Sequence, residues 1–219
     1  MEIPVITIDG LSATGKTVIA SMLSKRLGWP VLFSGMLYRC LAYHIIQQDL
    51  QNGITSLEPE WLKDLENVVC QLDGQLLTVT VNGRDLSNLL IHESVAARAS
   101  QIAKDQTVRD LLLPIQRRYR VPPGLVAEGR DMSSTVFPDA NIKVFLMAEA
   151  GLRAQRRYDQ LKKNGKDDTM SHIVGSMLER DRSDMERAEA SRGMDDALVI
   201  DTTHMNLSEV VSTILASWS

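Results

Sequence analysis

The run Gly10-Leu11-Ser12-Ala13-Thr14-Gly15-Lys16-Thr17 follows directly on the largely apolar segment Ile3-Pro4-Val5-Ile6-Thr7-Ile8-Asp9. Glycines at its first and sixth positions permit backbone angles that a side chain resists. Successive N–H groups can therefore turn inward around phosphate oxygens where a helix begins. Lys16 brings positive charge to those oxygens, and the Thr17 hydroxyl is placed to ligate Mg²⁺. At average residue usage the pattern alone arises by accident in roughly one chain per hundred of this length. Its setting lowers that further, because Val18-Ile19-Ala20-Ser21-Met22-Leu23 continues as an amphipathic helix that stops near Gly28. The eight residues from Gly10 to Thr17 are candidates for holding the polyphosphate of a nucleotide.

Other candidates are arginines in converging positions. Arg153, Arg156 and Arg157 stand at i, i+3 and i+4, a spacing that puts three like charges on one side of a helix and asks for an anion to compensate them. A solvated face tempered by Glu149 and Asp159 is the competing explanation. Arg180, Asp184 and Arg187 fall at i, i+4 and i+7 of a second helix, where a surface ion-pair ladder is the alternative. Glu128-Gly129-Arg130-Asp131 comes straight after a short apolar strand, the place where a parallel sheet presents its ligand-facing loop. Glu128 there can help to hold magnesium through water or orient neighbouring arginines, and Arg130 and Asp131 can also pair with each other.

The elements that must position these groups alternate in type. Short buried strands are expected at Val31-Leu32-Phe33, at Leu125-Val126-Ala127, from Ile142 to Met147 and from Leu198 to Asp201. Helical patterns are expected from about Met36 to Gln51, Glu93 to Lys104, Thr107 to Arg120, Glu149 to Lys163, Met170 to Arg187 and Leu207 to about Ala216. Asn206 with Glu209 forms the capping-box start of the last of these. A short helix in Pro59 to Val69 runs into a strand at Val68 to Leu72. The turn signals Asp73-Gly74 and Asn82-Gly83 bracket Leu76 to Val81, the mark of a small antiparallel meander inserted into an otherwise α/β chain. Strands separated by helices imply a parallel sheet with helices on both faces and ligands at the carboxyl ends of its strands.

A chain of 219 residues, 44% hydrophobic and 24% charged, has the material for one sizeable core with small appended lobes. The opening Met1-Glu2 enters a strand with neither a basic leader nor an apolar run of about 18 residues, so a cytoplasmic protein without a membrane span is expected. Cys40 and Cys70 belong to no paired spacing and read as reduced core residues, and the four histidines form no HExxH-like cluster. A net charge of −4 speaks against a broad nucleic-acid surface. Arginine nonetheless outnumbers lysine sixteen to eight, which suits forked contacts to anionic ligands in a few pockets. No helix shows an extended apolar seam, so a monomer is expected.

The order of several segments resembles the bacterial cytidylate kinases, a family of nucleoside monophosphate kinases. These segments are Gly10-x-x-x-x-Gly15-Lys16, Ser34-Gly35-x-x-Tyr38-Arg39, Val108-Arg109, Gly129-Arg130-Asp131-Met132, Val136-Phe137-Pro138-Asp139-Ala140 and Arg180-Asp181-x-x-Asp184-x-x-Arg187. The likeness spans nearly the whole chain. It implies a single P-loop kinase unit over residues 1–219, with a monophosphate-binding region at about 34–108 that includes an insertion at 66–92, and a helical lid at about 153–187. The implied reaction is transfer from ATP to CMP or dCMP, giving ADP and CDP or dCDP, with Mg²⁺.

Carried over residue by residue, the resemblance places cytosine near Ser100, Arg109 and Asp131. It places the ribose at Arg180 and Asp184, and the acceptor phosphate at Ser34, Arg39, Arg130 and Arg187, and it counts Tyr38 among the substrate-binding residues. It makes Arg153, Arg156 and Arg157 part of the lid over the donor phosphates, and Lys16, Arg130, Arg156, Arg157 and Arg187 the catalytic cations. Cytosine offers an amino donor and two ring acceptors, so a carboxylate facing the amino group and Arg and Ser facing the ring suit it, whereas uracil turns an oxygen toward the carboxylate. The chain departs from the family's usual residues at Val18, Phe33, Glu128 (commonly Asp) and Ser133-Ser134 (commonly Gly-Thr). A P-loop kinase for another monophosphate or a metabolite hydroxyl is the nearest alternative, and a silent nucleotide-binding regulator comes from a different class. A GTPase would carry an Asn-Lys-x-Asp guanine signature, which the chain lacks.

Overall fold

Val5, Ile6 and Ile8 are shut off from solvent and, with Thr7, Asp9 and Gly10, make strand β1 (Val5–Gly10). The computed structural model describes residues 2–48, 59–73, 76–163, 169–175, 177–178, 181–182 and 196–218. In it β1 is the middle strand of a five-stranded sheet with β2 (Val31–Phe33), β6 (Leu125–Glu128), β7 (Ile142–Met147) and β8 (Leu198–Asp201), in the order β2-β6-β1-β7-β8. Every pairing is parallel, with Ile8 opposite Glu128 on one side and Val144 on the other. A parallel sheet must be covered on both faces, and its strands are accordingly apolar almost throughout.

Alternation along β1 sorts the two faces. Ile6 and Ile8 pack with Val126, with Ile19 and Leu23 of α1 (Lys16–Leu27), and with Val210, Val211 and Ile214 of the C-terminal helix. Val5 faces the other way, into a cluster with Leu125, Ala127 and apolar residues of α2 (Ser34–Gln47), α5 (Glu93–Ile102) and α6 (Gln106–Arg117). Full burial of each such aliphatic side chain contributes about 1.5–3 kcal/mol. The apolar sequence pattern therefore fixes which helix lies on which side. Thr7 and Asp9 share the face of Val5 and are polar, a departure with consequences at the site.

The inserted region forms a separate antiparallel sheet of β3 (Val68–Asp73), β4 (Leu76–Val81) and β5 (Arg84–Asp85), preceded by α3 (Pro59–Glu66) and followed by the short α4 (Ser87–Leu90). Asn82 and Gly83 both have positive φ, 50° and 77°, as a two-residue hairpin with Val81 opposite Arg84 requires. Within the described residues the expected elements recur with shifted ends, and much of the helix expected from Met170 to Arg187 lies outside them. Helix α2 begins at Ser34 rather than Met36, because β2 passes into it with no intervening turn, and it ends at Gln47; the expected end at Gln51 lies outside the described residues. Helices α5 and α6 stop at Ile102 and Arg117, where the following amides switch to carbonyls three residues back. Helix α7 (Ala150–Lys163) and the last helix, α8 (Leu207–Ala216), match expectation, and Asn206 and Glu209 complete a reciprocal capping box. A π-helical turn at Met132–Val136, too short to leave a periodic trace, is new. Cys40 and Cys70 are free thiols whose acidity burial suppresses, pushing both up to about 12.

Among the described residues no helix is long and apolar enough to cross a membrane, and no three His, Cys, Asp or Glu side chains cluster as a metal cage.

Candidate active site

The carboxyl ends of the five strands gather one edge of the sheet, and the Gly10–Thr17 loop leaves β1 there. Gly10 has φ +141°, and a Cβ on it would lie 2.2 Å from the Leu146 carbonyl oxygen of β7. Gly15 has φ +93° and Ala13 +58°, so the loop turns through left-handed conformations as it enters α1. No side chain caps the start of α1 and no acid stands in its first turn, so its amides and the positive end of the helix dipole face outward.

Lys16 occupies that same turn. It is buried, and its Nζ donates to the Gly10 and Leu11 carbonyls at 2.9 and 2.6 Å. Burial above all, and then the Arg130 charge, pull the ammonium down to about 7, with Glu128, Asp9 and Asp181 acting in the opposite direction. A cation so disfavoured, at the uncapped positive end of a helix, fits an anionic ligand. Thr17 is half-buried beside it on the first turn of α1. The Thr14 hydroxyl is turned back on the Leu11 carbonyl.

Glu128 closes β6 next to this loop. Desolvation lifts its carboxyl above the ordinary range, against the pull of Lys16 and Arg130. Arg130 reaches across to the loop, where its Nη2 donates to Ser12 Oγ at 3.1 Å. Asp131 does not pair with Arg130: its Oδ2 accepts from Arg109 Nη2 of α6 at 2.7 Å. Arg109 and Asp131, expected around one base, thus stand face to face.

Further along the same side, Ser34 is buried at the start of α2 and its Oγ accepts from Gln116 Nε2 of α6 at 2.8 Å. Arg39, one and a half turns on, donates to the Leu90 carbonyl at 2.6 Å, and Tyr38 lies half-buried against the α2–α6 core. Ser100 is half-buried on α5.

The three arginines of α7 diverge instead of sharing one anion. Arg153 is buried; it donates to the Ala148 and Ser12 carbonyls and pairs with Asp181, whose other oxygen accepts the Ser12 N–H at 3.2 Å. Arg156 donates to the Thr202 carbonyl at 3.4 Å, and Arg157 contacts Gln160 and, at 4.0 Å, Glu93 of α5. Arg180, Asp184 and Arg187 lie outside the described residues.

Four participants escape a reading of the sequence. Asp9 binds the turn after Asp131, Ser133 joins it, Gln116 holds Ser34, and Asp181 braces the phosphate loop. A carboxylate inside an apolar strand and an amide on the Val108-Leu112-Ile115 face of α6 were the available signals.

A parallel sheet with a polyphosphate loop at its carboxyl edge, flanked by cationic side chains, an Arg–Asp pair between α6 and the loop after β6, and a small inserted antiparallel sheet, defines a P-loop kinase of the nucleoside monophosphate type. The sequence model for cytidylate kinase matches residues 6–219, and the chain belongs to that family. The cytidylate kinase of Aeromonas salmonicida is 42% identical to it over 215 residues, covering 97% of this chain and 93% of the relative. That of Azotobacter vinelandii is 42% identical over 221 residues with the same coverage. The crystal structure of TT1252 from Thermus thermophilus shares the fold, with a TM-score of 0.51 at 16% identity over the whole of both chains.

Proposed function

We propose that this chain transfers the terminal phosphoryl group of ATP to CMP or dCMP, giving ADP and CDP or dCDP. The observation that carries this reading is the buried, charge-starved Lys16 at the uncapped start of α1, with Arg130 linking that loop to the Arg109–Asp131 pair. Donor phosphates lie on the Gly10–Thr17 amides and on Lys16. Arg153, already engaged with Ser12 and Asp181, serves the donor by bracing its loop. Thr17, and Glu128 through water, offer the hard oxygen ligands that Mg²⁺ prefers. The ion, when bound, neutralises charge that builds on the transferred group.

The acceptor's own phosphate oxygen is the nucleophile and is already anionic, so no side chain need remove a proton. Work falls to alignment and charge neutralisation by Lys16, Arg130, Arg156, Arg157 and Arg187. Ser34, Tyr38, Arg39, Arg130 and Arg187 receive the acceptor phosphate, Arg180 and Asp184 its ribose, and Ser100, Arg109 and Asp131 its base. The Arg109–Asp131 pairing supports the last assignment: each group holds the other in place, and Asp131 keeps lone pairs for the cytosine amino group. Because Gln116 donates to Ser34 Oγ, the serine proton is left to donate to an anion. We assign the work to a cytoplasmic monomer acting on free nucleotides.

A panel of nucleoside monophosphates with Mg-ATP tests the proposal, with ADP release as the readout. CMP and dCMP should give the highest kcat/KM. A clear preference for AMP, GMP or UMP would overturn the cytosine assignment, and ADP release independent of any acceptor would overturn the kinase reading.

A further inference from the structure

Arg130 and Asp131 sit between two ties to one strand. On one side the Gly129 N–H donates to the Ile8 carbonyl at 3.1 Å. On the other, Asp9 Oδ1 accepts the Met132 N–H at 2.8 Å, and Oδ2 accepts both the Ser133 N–H at 2.8 Å and the Ser133 hydroxyl at 2.6 Å. Ile8 and Asp9 are neighbours on β1, and the next residue is Gly10, where the phosphate loop begins. The two-residue bridge carrying Arg130 and Asp131 is thereby registered directly on the strand that launches that loop.

Asp9 is only 2% exposed and stands on a face largely filled by apolar packing. Such a carboxylate persists only if its lone pairs are filled, and here they are filled by the leading amides of the Met132–Val136 turn, which no side chain of its own N-terminal residue caps. The Ser133 hydroxyl adds a third, charge-assisted bond. Desolvation pushes the Asp9 carboxyl upward, and the Ser133 hydroxyl is the largest of the contacts that hold it down.

We infer that Asp9 and Ser133 are positioning residues for acceptor recognition: they fix the Arg130–Asp131 bridge relative to the phosphate loop so that base and phosphate contacts form together. The inference rests on the proposed acceptor role of that bridge. Neither residue touches substrate. Loosening the bridge lowers the fraction of molecules with Asp131 and Arg130 aligned, and apparent acceptor affinity falls by that fraction, while the donor amides on the far side of Gly10 keep their geometry.

The experiment compares Michaelis constants for acceptor and donor in wild type, Ser133→Ala, Asp9→Asn and the double variant. Ser133→Ala leaves both amide bonds in place, so the chain should still fold, with a melting temperature lowered by the one bond lost from Asp9. Its KM for CMP should rise about threefold to tenfold, less than the full size of a hydrogen bond to a charged group because Ser133 acts at one remove from the substrate, with KM for ATP changed less than about twofold. Asp9→Asn must turn its amide NH₂ toward one of two backbone donors and should raise KM for CMP further. Adding Ser133→Ala to it should then cost less than about twofold more, because Ser133 acts through Asp9. An unchanged KM for CMP in Ser133→Ala, equal rises for both substrates, or fully additive effects would each overturn the inference. Should Asp9→Asn fail to fold, the Ser133→Ala comparison decides alone. If wild type prefers a different monophosphate, the cytosine reading fails, and the same comparison on that acceptor still tests the positioning role.

Discussion

Donor binding should take up a proton, and the proton should belong to Lys16. In the ligand-free protein the ammonium is pulled from 10.5 to about 7, chiefly by burial and then by Arg130. At pH 8 a group so shifted is mostly neutral, and a triphosphate laid against it restores the charged form, so binding should draw in most of one proton per site. Working at pH 8 keeps Mg-ATP itself deprotonated. The assay is titration calorimetry in buffers of different ionisation enthalpy, whose slope gives the protons exchanged, with Lys16→Met as the control that should abolish the uptake. Affinity should also weaken toward tenfold per pH unit above 7, since the ligand must then recharge the lysine. The sign for stability is the reverse: folding releases this proton between about 7 and 10.5, so the ligand-free protein gains stability from Lys16 as pH rises through that window. Wild-type binding that is independent of buffer, or uptake that survives Lys16→Met, would refute the placement of Lys16 as a buried cation awaiting an anion.

Asp131→Ala should raise KM for CMP at least about tenfold, the size of a lost hydrogen bond to a charged group, and leave ATP binding little changed; equal losses would make Asp131 structural. Glu128→Gln should raise the melting temperature of the ligand-free protein at pH 7 while lowering turnover. The raised pKa of Glu128 means that its contribution to stability is present at low pH and lost as pH rises, so the gain on substitution should grow with pH, and a melting curve that moves the other way would refute this. Gly10→Ala should destabilise by at least about 3 kcal/mol, or about 6–12 °C in melting temperature, because the new methyl meets the backbone of β7 and the φ is one that side chains avoid.

What the chain revealed in advance were features with a local cause. The phosphate loop is a contiguous pattern, the strands of the parallel sheet are short apolar runs, and Asn82-Gly83 carries its hairpin in two residues. What stayed hidden depends on partners far away in sequence. Asp9 finds Met132 and Ser133 across 123 and 124 positions, and Gln116 finds Ser34 across 82. Helical spacing put Arg153, Arg156 and Arg157 on one side, but it carries no information on what each meets. Arg153 turns to Ser12, Arg156 to the residue after β8, and Arg157 to α5. The roles drawn from resemblance for Ser100, Arg109 and Asp131 needed more than proximity, since Arg109 and Asp131 prove to be each other's partners.

The clasp of Arg153 with Asp181 and Ser12 closes the chain on itself twenty-eight positions after it leaves the core. Closure entropy grows only with the logarithm of span, by about 0.6 kcal/mol per doubling, so the number of residues spanned is a minor part of what the clasp must overcome. What limits change there is the content of the span and not its length: Arg156 and Arg157 ride on α7, and Leu161 packs with Ile173 and Met177. The clasping pair, those two arginines and that small apolar knot are the stitches that any graft must leave uncut.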